Sequence, residues 1–393
     1  MLHYFLFFIF IYESIQKSDV YYTKKISSSA IVEMFKKLNP NLKGNIGLKV
    51  HTGEIGGKYF LRPDFLQKIY DYTNGTFIEC NTAYSSYSRH TTELHENVLR
   101  VNGWRNNSRR TVIMDEDDSK DFNLTIENYK NISQNIVGGH LLDFDSCLVL
   151  AHFKGHAMGG FGGALKQLSI GFASRAGKSN IHSGGFTSNY IETWSHKAEQ
   201  EDFTSAMADA ASSIVKYFRD KGGIAFINVM SNISIRCDCG TGAPEPKIRD
   251  LGILASLDPV AIDRASFDLI IKENTTGSQE WVNNSNQLLG ENTIRMAEEL
   301  GVGSQEYNLI EVETDEDEEK EEEEEEDEYD DKDKDKDKDQ DKENNLFWLI
   351  LIPGVVIVLV IIGLVIFFLY KRKSKPQIAD GSLGVSMTGK KSE

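Results

Sequence analysis

Reactive side chains are most concentrated between residues 152 and 166, where the sequence reads HFKGHAMGGFGGALK. His152 and His156 supply two imidazoles, Lys154 and Lys166 supply two amines, and five glycines lie among them. An imidazole exchanges protons near neutral pH, and an ammonium group attracts anions. Glycines let backbone N–H groups approach a ligand, and the N-terminus of a following helix would favour negative charge. The segment therefore predicts a site for a small anionic ligand.

Other polar residues recur at the ends of predicted strands. In open α/β sheets, ligands bind beyond the carboxyl ends of the strands, so such residues are predicted to share one rim. Taken singly, each also fits the ordinary polar transition from strand to loop. The full set of ligand-binding candidates is His51, Asn81, Asp115, His152, Lys154, His156, Lys166, Arg175, Lys178 and His182.

The glycine-rich stretches do not fit nucleotide-binding loops. Five residues separate Gly171 from Gly177, where a P-loop has four, and Leu165 stands where the dinucleotide fingerprint needs its third glycine. The histidines leave a divalent metal open as a cofactor. No Cys or carboxylate lies at ligand spacing beside them, so no metal ligand is assigned. The catalytic residues, if the chain is an enzyme, stay unassigned.

The four cysteines are Cys80, Cys147, Cys237 and Cys239. The last two form a C-x-C motif that is able to pair with the others, to bind a metal or to stay reduced. Four cysteines allow three full connectivities, so the disulfide pairing is left open.

Short apolar strands alternate with amphipathic helices through most of the chain. The range 147–152 is an apolar strand, and 203–218 and 258–272 have helical patterns. This alternation predicts one α/β body over residues 19–312, with a mainly parallel sheet covered by helices.

The charge of the chain is concentrated in one tract. The formal net charge is -17, and residues 311–343 contain 23 Asp and Glu against 6 Lys, which accounts for the whole imbalance. Dense like charge cannot bury enough apolar surface to fold, so 313–345 is predicted to be a disordered acidic stalk. Low-affinity cation binding is the alternative for this tract. The remainder is neutral overall, which argues against a nucleic-acid partner.

The two ends of the chain predict a membrane protein. Residues 1–18 resemble a signal peptide, and 346–370 form an uncharged stretch long enough for a single C-terminal transmembrane helix. The basic segment 371–393 would then be cytosolic, giving a type I protein with an exported body. The pair Lys390 and Lys391 resembles an endoplasmic-reticulum retrieval signal, whereas the long span suits the plasma membrane.

Seven N-x-S/T sequons agree with an exported glycoprotein, because all of them fall in the predicted body. They are Asn74, Asn106, Asn123, Asn131, Asn232, Asn274 and Asn283.

Seven short motifs are distributed along the predicted body: LKVHTGE at 48–54, HFKGH at 152–156, GGALK at 162–166, SRAGK at 174–178, His182, CDC at 237–239 and DPVAID at 258–263. Together they resemble the uncharacterised Fe–S-centre proteins, the family called domain of unknown function 362. The resemblance covers about residues 30–300 and implies a shared fold, but no reaction. Members of this family carry a ferredoxin-like insert with Cys-rich clusters after the position of His182. Residues 183–200 contain no Cys here, so Fe–S clusters are not expected.

Two hypotheses for function follow. In the first, the exported domain binds or acts on a small anionic or metal-associated ligand. In the second, it is a non-catalytic receptor, adhesin or cation-buffering protein at the cell surface or in the endoplasmic reticulum, and the motif residues only build the fold.

Overall fold

The computed structural model describes residues 17–84, 88–238 and 240–313. The described residues all belong to one compact unit. Within them the strands are β1 (Ser18–Thr23), β2 (Ile46–Lys49), β3 (Thr76–Glu79), β4 (Thr111–Ile113), β5 (Phe122–Thr125), β6 (Gln134–Val137), β7 (Ser146–His152), β8 (Lys154–His156), β9 (Gly160–Gly162), β10 (Ile224–Met230), β11 (Gly252–Ser256) and β12 (Tyr307–Glu311).

The α-helices lie between these strands. They are α1 (Ser28–Leu38), α2 (Gln67–Thr73), α3 (Thr92–Val101), α4 (Ala164–Lys166), α5 (Arg175–His182), α6 (Gln200–Lys221), α7 (Pro259–Glu273), α8 (Thr276–Gln287) and α9 (Gly290–Glu299). A π-helical turn, Gln167–Gly171, continues α4. Short 3-10 turns occur at Asp118–Lys120, Gly139–Asp143 and Thr193–Ser195.

Eight strands form one sheet in the order β12-β1-β11-β10-β7-β2-β3-β4. The five strands from β10 to β4 are parallel to one another. Strand β11 runs antiparallel to both β10 and β1, and β1 is parallel to β12. The protein is therefore α/β, as predicted, with a sheet that is mixed but mostly parallel.

Both faces of the central strands are buried. In β7, Val149 packs into one hydrophobic cluster and the next residue, Leu150, packs into another. Their partners on β10, Phe226 and Ile227, divide between the same two clusters. Successive side chains of a strand point to opposite faces, so a strand covered on both sides reads as a continuous apolar run. This explains why β7 was recognisable from sequence.

Capping residues set the start of several helices. Asp258 precedes α7, and its carboxylate accepts hydrogen bonds from the backbone N–H groups of Val260 and Ala261. Pro259 occupies the first turn, where its missing N–H costs nothing. Ser27 caps α1 in the same manner through the N–H of Ala30. The position of α7 confirms the helical pattern predicted for 258–272.

The prediction of a transmembrane helix has to be corrected. Among the residues that the structure describes, no helix is long and apolar enough to cross a membrane. The longest described helix, α6, runs for 22 residues but is amphipathic and packs against the body. The prediction of a single-pass type I membrane protein is therefore not supported. The same holds for the predictions that depended on this topology: the membrane as a partner, the location at the plasma membrane or endoplasmic reticulum, and the receptor or adhesin hypothesis.

The terminal segments that carried those predictions lie almost wholly outside the described residues. This holds for the signal peptide at 1–18, apart from its last two residues, and for the acidic stalk at 313–345, apart from its first. It also holds for the span at 346–370 and for the basic segment at 371–393 with Lys390 and Lys391.

The predicted glycosylation sites lie at the surface with one exception. Asn131 is half-buried and its amide donates to Asp202 at 3.0 Å. The exposed ones are Asn74, Asn106, Asn123, Asn232, Asn274 and Asn283. Their modification stays a prediction.

Candidate functional site

A cavity of about 220 Å³ lies at the carboxyl ends of β2, β3 and β7. We call it the ligand pocket. It is the place where ligands bind in open α/β sheets. Predicted site residues that line it are His51, His152, Lys154, His156, Lys166 and Lys178. Asn81, Asp115, Arg175 and His182 do not line it.

The glycine-rich segment forms a β-hairpin. His152 ends β7, and β8 then pairs antiparallel with β9. Gly155 sits so close to the backbone that a Cβ there would collide with the carbonyl of Ile235. The hairpin brings Lys154 and His156 to the pocket wall. The sequence had suggested a ligand-binding loop at this position, and the structure has paired strands instead.

A buried carboxylate already occupies the N-terminus of α4. Asp263, on α7, accepts hydrogen bonds from the backbone N–H groups of Ala164 and Leu165 at 2.8 and 2.9 Å. The amide of Asn228 donates to the same carboxylate at 2.8 Å. Burial raises the pKa of Asp263 to about 6 despite these bonds. The expectation that this helix end binds a ligand anion is therefore wrong, because the protein supplies the anion itself.

Four charged residues that sequence reasoning missed also line the pocket: Glu54, Glu79, Arg89 and Asp238. Glu79 gave a signal, because a carboxylate closes the apolar run of β3 just as Lys49 closes that of β2. Arg89 and Asp238 lie in loops, where a charged residue is unremarkable.

Glu79 is held as a carboxylate by two cations. The Nζ atom of Lys49, fully buried behind the pocket, donates to Glu79 Oε1 at 2.7 Å. The guanidinium of Arg89 contacts Glu79 Oε2 at 3.3 Å and Glu54 Oε1 at 2.8 Å. Burial alone would raise the pKa of Glu79, but Lys49 and Arg89 outweigh it and hold that pKa below its ordinary value. Glu79 is consequently no general base.

Asp238 organises the opposite wall. It forms an ion pair with Lys154 and accepts a hydrogen bond from the Ser234 hydroxyl at 3.0 Å. Burial opposes the charge of Asp238, but Lys154 and His152 prevail and lower its pKa. The Nδ1 atom of His152 lies 3.9 Å from the Asp238 carboxylate.

Two of the three imidazoles of the pocket, those of His152 and His156, are fixed in defined tautomers. His152 must donate from Nε2, because its neighbour at 2.6 Å is the carbonyl of Ser231. His156 must accept at Nδ1, because the N–H groups of Met158 and Gly159 point at that atom from 3.1 and 3.0 Å. The third ring, His51, has donors at both nitrogens: the N–H of Gly53 points at its Nδ1 atom, and the Arg89 guanidinium lies 3.2 Å from its Nε2 atom.

Burial keeps two of these rings uncharged. It lowers the pKa of His152, against the attraction of Asp238. It lowers the pKa of His156 well below the ordinary value, and Lys166 and Lys154 act in the same direction.

Positive charge exceeds negative charge in the pocket wall. Arg89, Lys154, Lys166 and Lys178 line it, against the carboxylates Glu54, Glu79 and Asp238, and Lys49 adds a further cation just behind. Apolar side chains complete the wall: Val50, Phe60, Leu61, Leu150, Met158 and Ile170.

Three of the predicted residues build a separate structure, which we call the Asp115 cluster: Asn81, Asp115 and Arg175. The Asp115 carboxylate accepts the backbone N–H of Asn81 at 2.8 Å and that of Arg175 at 3.1 Å. Burial raises the pKa of Asp115 to about 6, although the charge of Lys178 and these bonds work against it. The Arg175 guanidinium stacks on Tyr190, 3.8 Å from the ring centre.

His182 belongs to an aromatic cluster beside the pocket. Its ring stacks on Phe203 at 4.8 Å, and its Nε2 atom lies 2.8 Å from the hydroxyl of the pocket residue Tyr84. Burial, with Lys166 and Lys178 nearby, lowers the pKa of His182 to about 3.

Metal and thiol chemistry find little support in the described part of the chain. No three His, Cys, Asp or Glu side chains there are grouped so that they would hold a metal ion. The thiols of Cys80 and Cys147 are buried and reduced, and burial raises both of their pKa values. The pairing of Cys237 with Cys239 stays open, since Cys239 lies outside the described residues.

The sequence matches the family described as "Domain of unknown function (DUF362)" over residues 46–268. The chain belongs to this family. The matched DUF362 region contains every strand end that surrounds the pocket, together with all ten predicted ligand-binding residues. A comparison with curated proteins gives no match.

Two solved structures are similar to this DUF362 chain. A protein from Thermotoga maritima is 12% identical, with a TM-score of 0.35, over 70% of this chain and 59% of its own. The lactate racemase apoprotein from Thermoanaerobacterium thermosaccharolyticum is 14% identical, with a TM-score of 0.33, over 53% of this chain and 50% of its own. The chain thus spans between half and three fifths of the length of these proteins. TM-scores this low support no statement about function.

Proposed function

We propose that the ligand pocket binds a small organic anion, a carboxylate or a phosphate that carries a short apolar part. The observation that carries the proposal is the surplus of cations over carboxylates in a buried pocket with an apolar wall. A wall with more cations than carboxylates attracts an anion, and this attraction is stronger away from water. The apolar part of the anion would lie against Phe60, Leu61 and Ile170.

The size of the pocket limits the ligand. A cavity of about 220 Å³ exceeds what a single water or ion fills, yet it is small among ligand pockets. A molecule with a few carbon atoms fits these limits better than a nucleotide. The domain proposed to carry the site is residues 19–312.

We also propose that this chain lacks the Fe–S clusters and the ferredoxin-like insert of its relatives. Each cluster needs four thiolates, and residues 183–200 provide none. Cys80 follows β3 and Cys147 lies within β7, so both are committed to the core. Protein purified without oxygen should contain no acid-labile sulfide and show no absorption near 400 nm. Stoichiometric iron with sulfide would overturn this proposal.

A divalent metal is not part of the proposed function. The Nε2 atom of His152 is bound to a carbonyl, and the Nδ1 atom of His156 is bound to two N–H groups. Each ring therefore has only one nitrogen left, and no third ligand is grouped with them among the described residues.

Calorimetric titration of the full chain tests the proposal. Oxalate, pyruvate and inorganic phosphate are the probes, and oxamide and pyruvamide are neutral controls of matched shape. We expect at least one anion to bind with a dissociation constant below about 1 mM and its amide not to bind. If no probe binds, or if the amides bind equally well, the pocket is not an anion site.

A further inference from the structure

The two histidines at the hairpin bind the backbone through opposite ring nitrogens. His152 carries its proton on Nε2, bound to the Ser231 carbonyl, so its Nδ1 holds a lone pair. His156 holds its lone pair on Nδ1, bound by two backbone N–H groups, so its proton is on Nε2. Both residues line the same cavity. One ring is thus arranged as a base and the other as a hydrogen-bond donor.

The remaining acidic groups of the pocket are unsuitable as bases. Glu79 and Glu54 are held by Arg89, and Lys49 also binds Glu79. Asp238 is paired with Lys154. Burial raises the pKa of the Cys80 thiol well above its usual range, so little thiolate forms there. His51 has a donor at each ring nitrogen, so of these groups His152 is the side chain best suited to take a proton from a bound molecule.

Asp238 supports such a role for His152. A base that takes up a proton becomes an imidazolium, and the Asp238 carboxylate lies 3.9 Å from the Nδ1 atom that would carry the new charge. The Ser231 carbonyl fixes the ring orientation through the other nitrogen. A base that is oriented by one group and stabilised electrostatically by another is the usual arrangement for general-base catalysis.

His156 is suited to stabilise negative charge on oxygen without losing its proton. A neutral imidazole whose Nδ1 is bound by backbone N–H groups donates from Nε2, and loss of that proton would leave an unfavourable imidazolate. The same principle operates where a neutral histidine polarises a substrate carbonyl. Lys166 lies on the same wall, and the overall cation surplus adds to the stabilisation.

We propose that the pocket catalyses removal of a proton from the carbon next to the carbonyl of a bound 2-oxo carboxylate, with His152 as the base and His156 as the donor to the enolate oxygen. This inference rests on the proposed function, because the carboxylate of the substrate is the anion that the pocket binds. The C–H electron pair becomes the C=C bond of the enolate, and the carbonyl π pair moves to oxygen. The proton goes to His152 Nδ1 and returns to carbon in the reverse step, so no oxidant or other reactant is consumed.

The burial of the charged and titratable side chains of the pocket favours this chemistry over hydrolysis. His152, Lys154, Glu79 and Asp238 are all buried, so little bulk water reaches the base. Exclusion of water also strengthens the hydrogen bond and the charge interactions that would stabilise an enolate.

Hydrogen exchange in deuterium oxide provides the test. The full chain is incubated with pyruvate or 2-oxobutyrate, and loss of the proton signal at C3 is followed by NMR. We expect exchange above the buffer-catalysed rate, inhibited by oxalate, which resembles the planar enolate. His152→Gln keeps a donor for the Ser231 carbonyl but removes the base, and it should reduce exchange by about 100-fold or more. His140→Gln is the matched control, because His140 lies at the surface with Asp143 and Glu116 and should exchange as wild type.

A second variant separates catalysis from folding. His156→Ala should reduce exchange by about 100-fold and weaken oxalate more than pyruvate, because only oxalate imitates the enolate. An equal loss for both ligands would indicate a purely structural role and would overturn the assignment of His156. If His152→Gln fails to fold, oxalate inhibition of the wild-type exchange still decides whether the pocket is the site.

The outcomes distinguish this inference from the function on which it rests. Binding of pyruvate or oxalate without any exchange leaves the anion site standing and overturns the proton-transfer role. If only phosphate binds, the anion site likewise stands and the proton-transfer role is overturned. Failure of every anion to bind overturns both. Exchange that survives in His152→Gln at the wild-type rate refutes the base assignment directly.

Discussion

The carboxyl edge of the parallel sheet contains two regions that look alike in sequence and differ in structure. In the ligand pocket, His51 follows β2 and His152 ends β7, and both face a cavity. In the Asp115 cluster, Asn81 and Asp115 follow β3 and β4, and their polar atoms are engaged with the backbone and with neighbouring side chains. All four were predicted as members of one rim. The comparison shows that strand-end position alone does not make a binding site.

The hydrogen-bond partners of the buried polar groups explain the difference between the two regions. Both oxygens of Asp115 accept backbone N–H groups, from Asn81 and Arg175, so the carboxylate ties two chain segments together. In the pocket, the imidazoles of His152 and His156 each use one nitrogen for the backbone and have the other left for a ligand. A buried polar group whose partners are all supplied by the protein is structural, whereas one with remaining capacity is a candidate for binding.

The largest expected effect comes from removing the Asp115 carboxylate. Asp115→Ala leaves the N–H groups of Asn81 and Arg175 buried without acceptors, and each such loss costs about 1–3 kcal/mol. We expect the free energy of unfolding in urea to fall by about 2–5 kcal/mol. Oxalate affinity, measured below the unfolding transition, should change little.

A surface carboxylate provides the control for this experiment. Asp220 lies on α6 with Lys216 as its only described ion-pair partner, and Asp220→Ala should change stability by less than about 0.5 kcal/mol. If Asp115→Ala kept full stability but lost oxalate binding, the division of the edge into a binding region and a structural region would be wrong.

The two regions should also respond to pH with opposite sign. The pKa of Asp115 is raised to about 6 in the folded protein, so its contribution to stability is present below the unfolded pKa near 4 and declines as pH rises through 6. This change amounts to about 3 kcal/mol at most. Asp263 and Asp121 have pKa values raised in the same way and add to the decline.

The pocket carboxylate Glu79 determines how stability depends on pH in the acid range. Lys49 and Arg89 hold the pKa of Glu79 below its ordinary value, so its contribution is present above about pH 4 and is lost as the pH falls further. Urea unfolding between pH 3 and 8 should therefore show stability falling in both directions. Asp115→Asn should flatten the limb above pH 4, and Glu79→Gln should flatten the limb below it. A reversed pattern would contradict the assignment of charge states to the two regions.

The sequence predicted the α/β class, the apolar strands and six pocket residues, because these depend on local pattern and on the position of strand ends. It did not predict which residues would be bound by the backbone, because those contacts join distant segments. Asp263 reaches the N-terminus of α4 from 98 residues away, and Asp238 reaches Lys154 from 84 residues away. Such partners have no signature in the local sequence around either residue.

The hairpin illustrates a second reason. Five glycines next to a short helix predicted a phosphate-type loop, but glycine also permits close packing of two strands against a neighbouring backbone. Gly155 is required by the carbonyl of Ile235, and that requirement becomes visible only when the chain is folded.

A smaller effect is expected from Lys166, which lines the pocket at the end of α4. Lys166→Met keeps most of the side-chain volume and removes one cation from the wall. We expect oxalate affinity to fall by about 10-fold, because one charge interaction in a partly buried site contributes on the order of 1–2 kcal/mol. Lys216→Met, at the exposed face of α6, is the matched control and should bind oxalate as wild type. Equal losses in both variants would show that oxalate responds only to net charge.

The smallest effect is expected from Lys178, the residue that connects the two regions. Its side chain lines the pocket, its Nζ atom donates to the carbonyl of Ala173 at 2.5 Å, and its charge counteracts the raised pKa of Asp115. Lys178→Met should weaken oxalate by only a few-fold, because Nζ is already bound to a carbonyl. It should also raise the pKa of Asp115 further, so the decline in stability above pH 4 would continue to higher pH. Calorimetry and urea unfolding at several pH values measure the two effects separately. If oxalate binding fell while the pH limb stayed unchanged, Lys178 would belong to the pocket alone, and the two regions would be electrostatically independent.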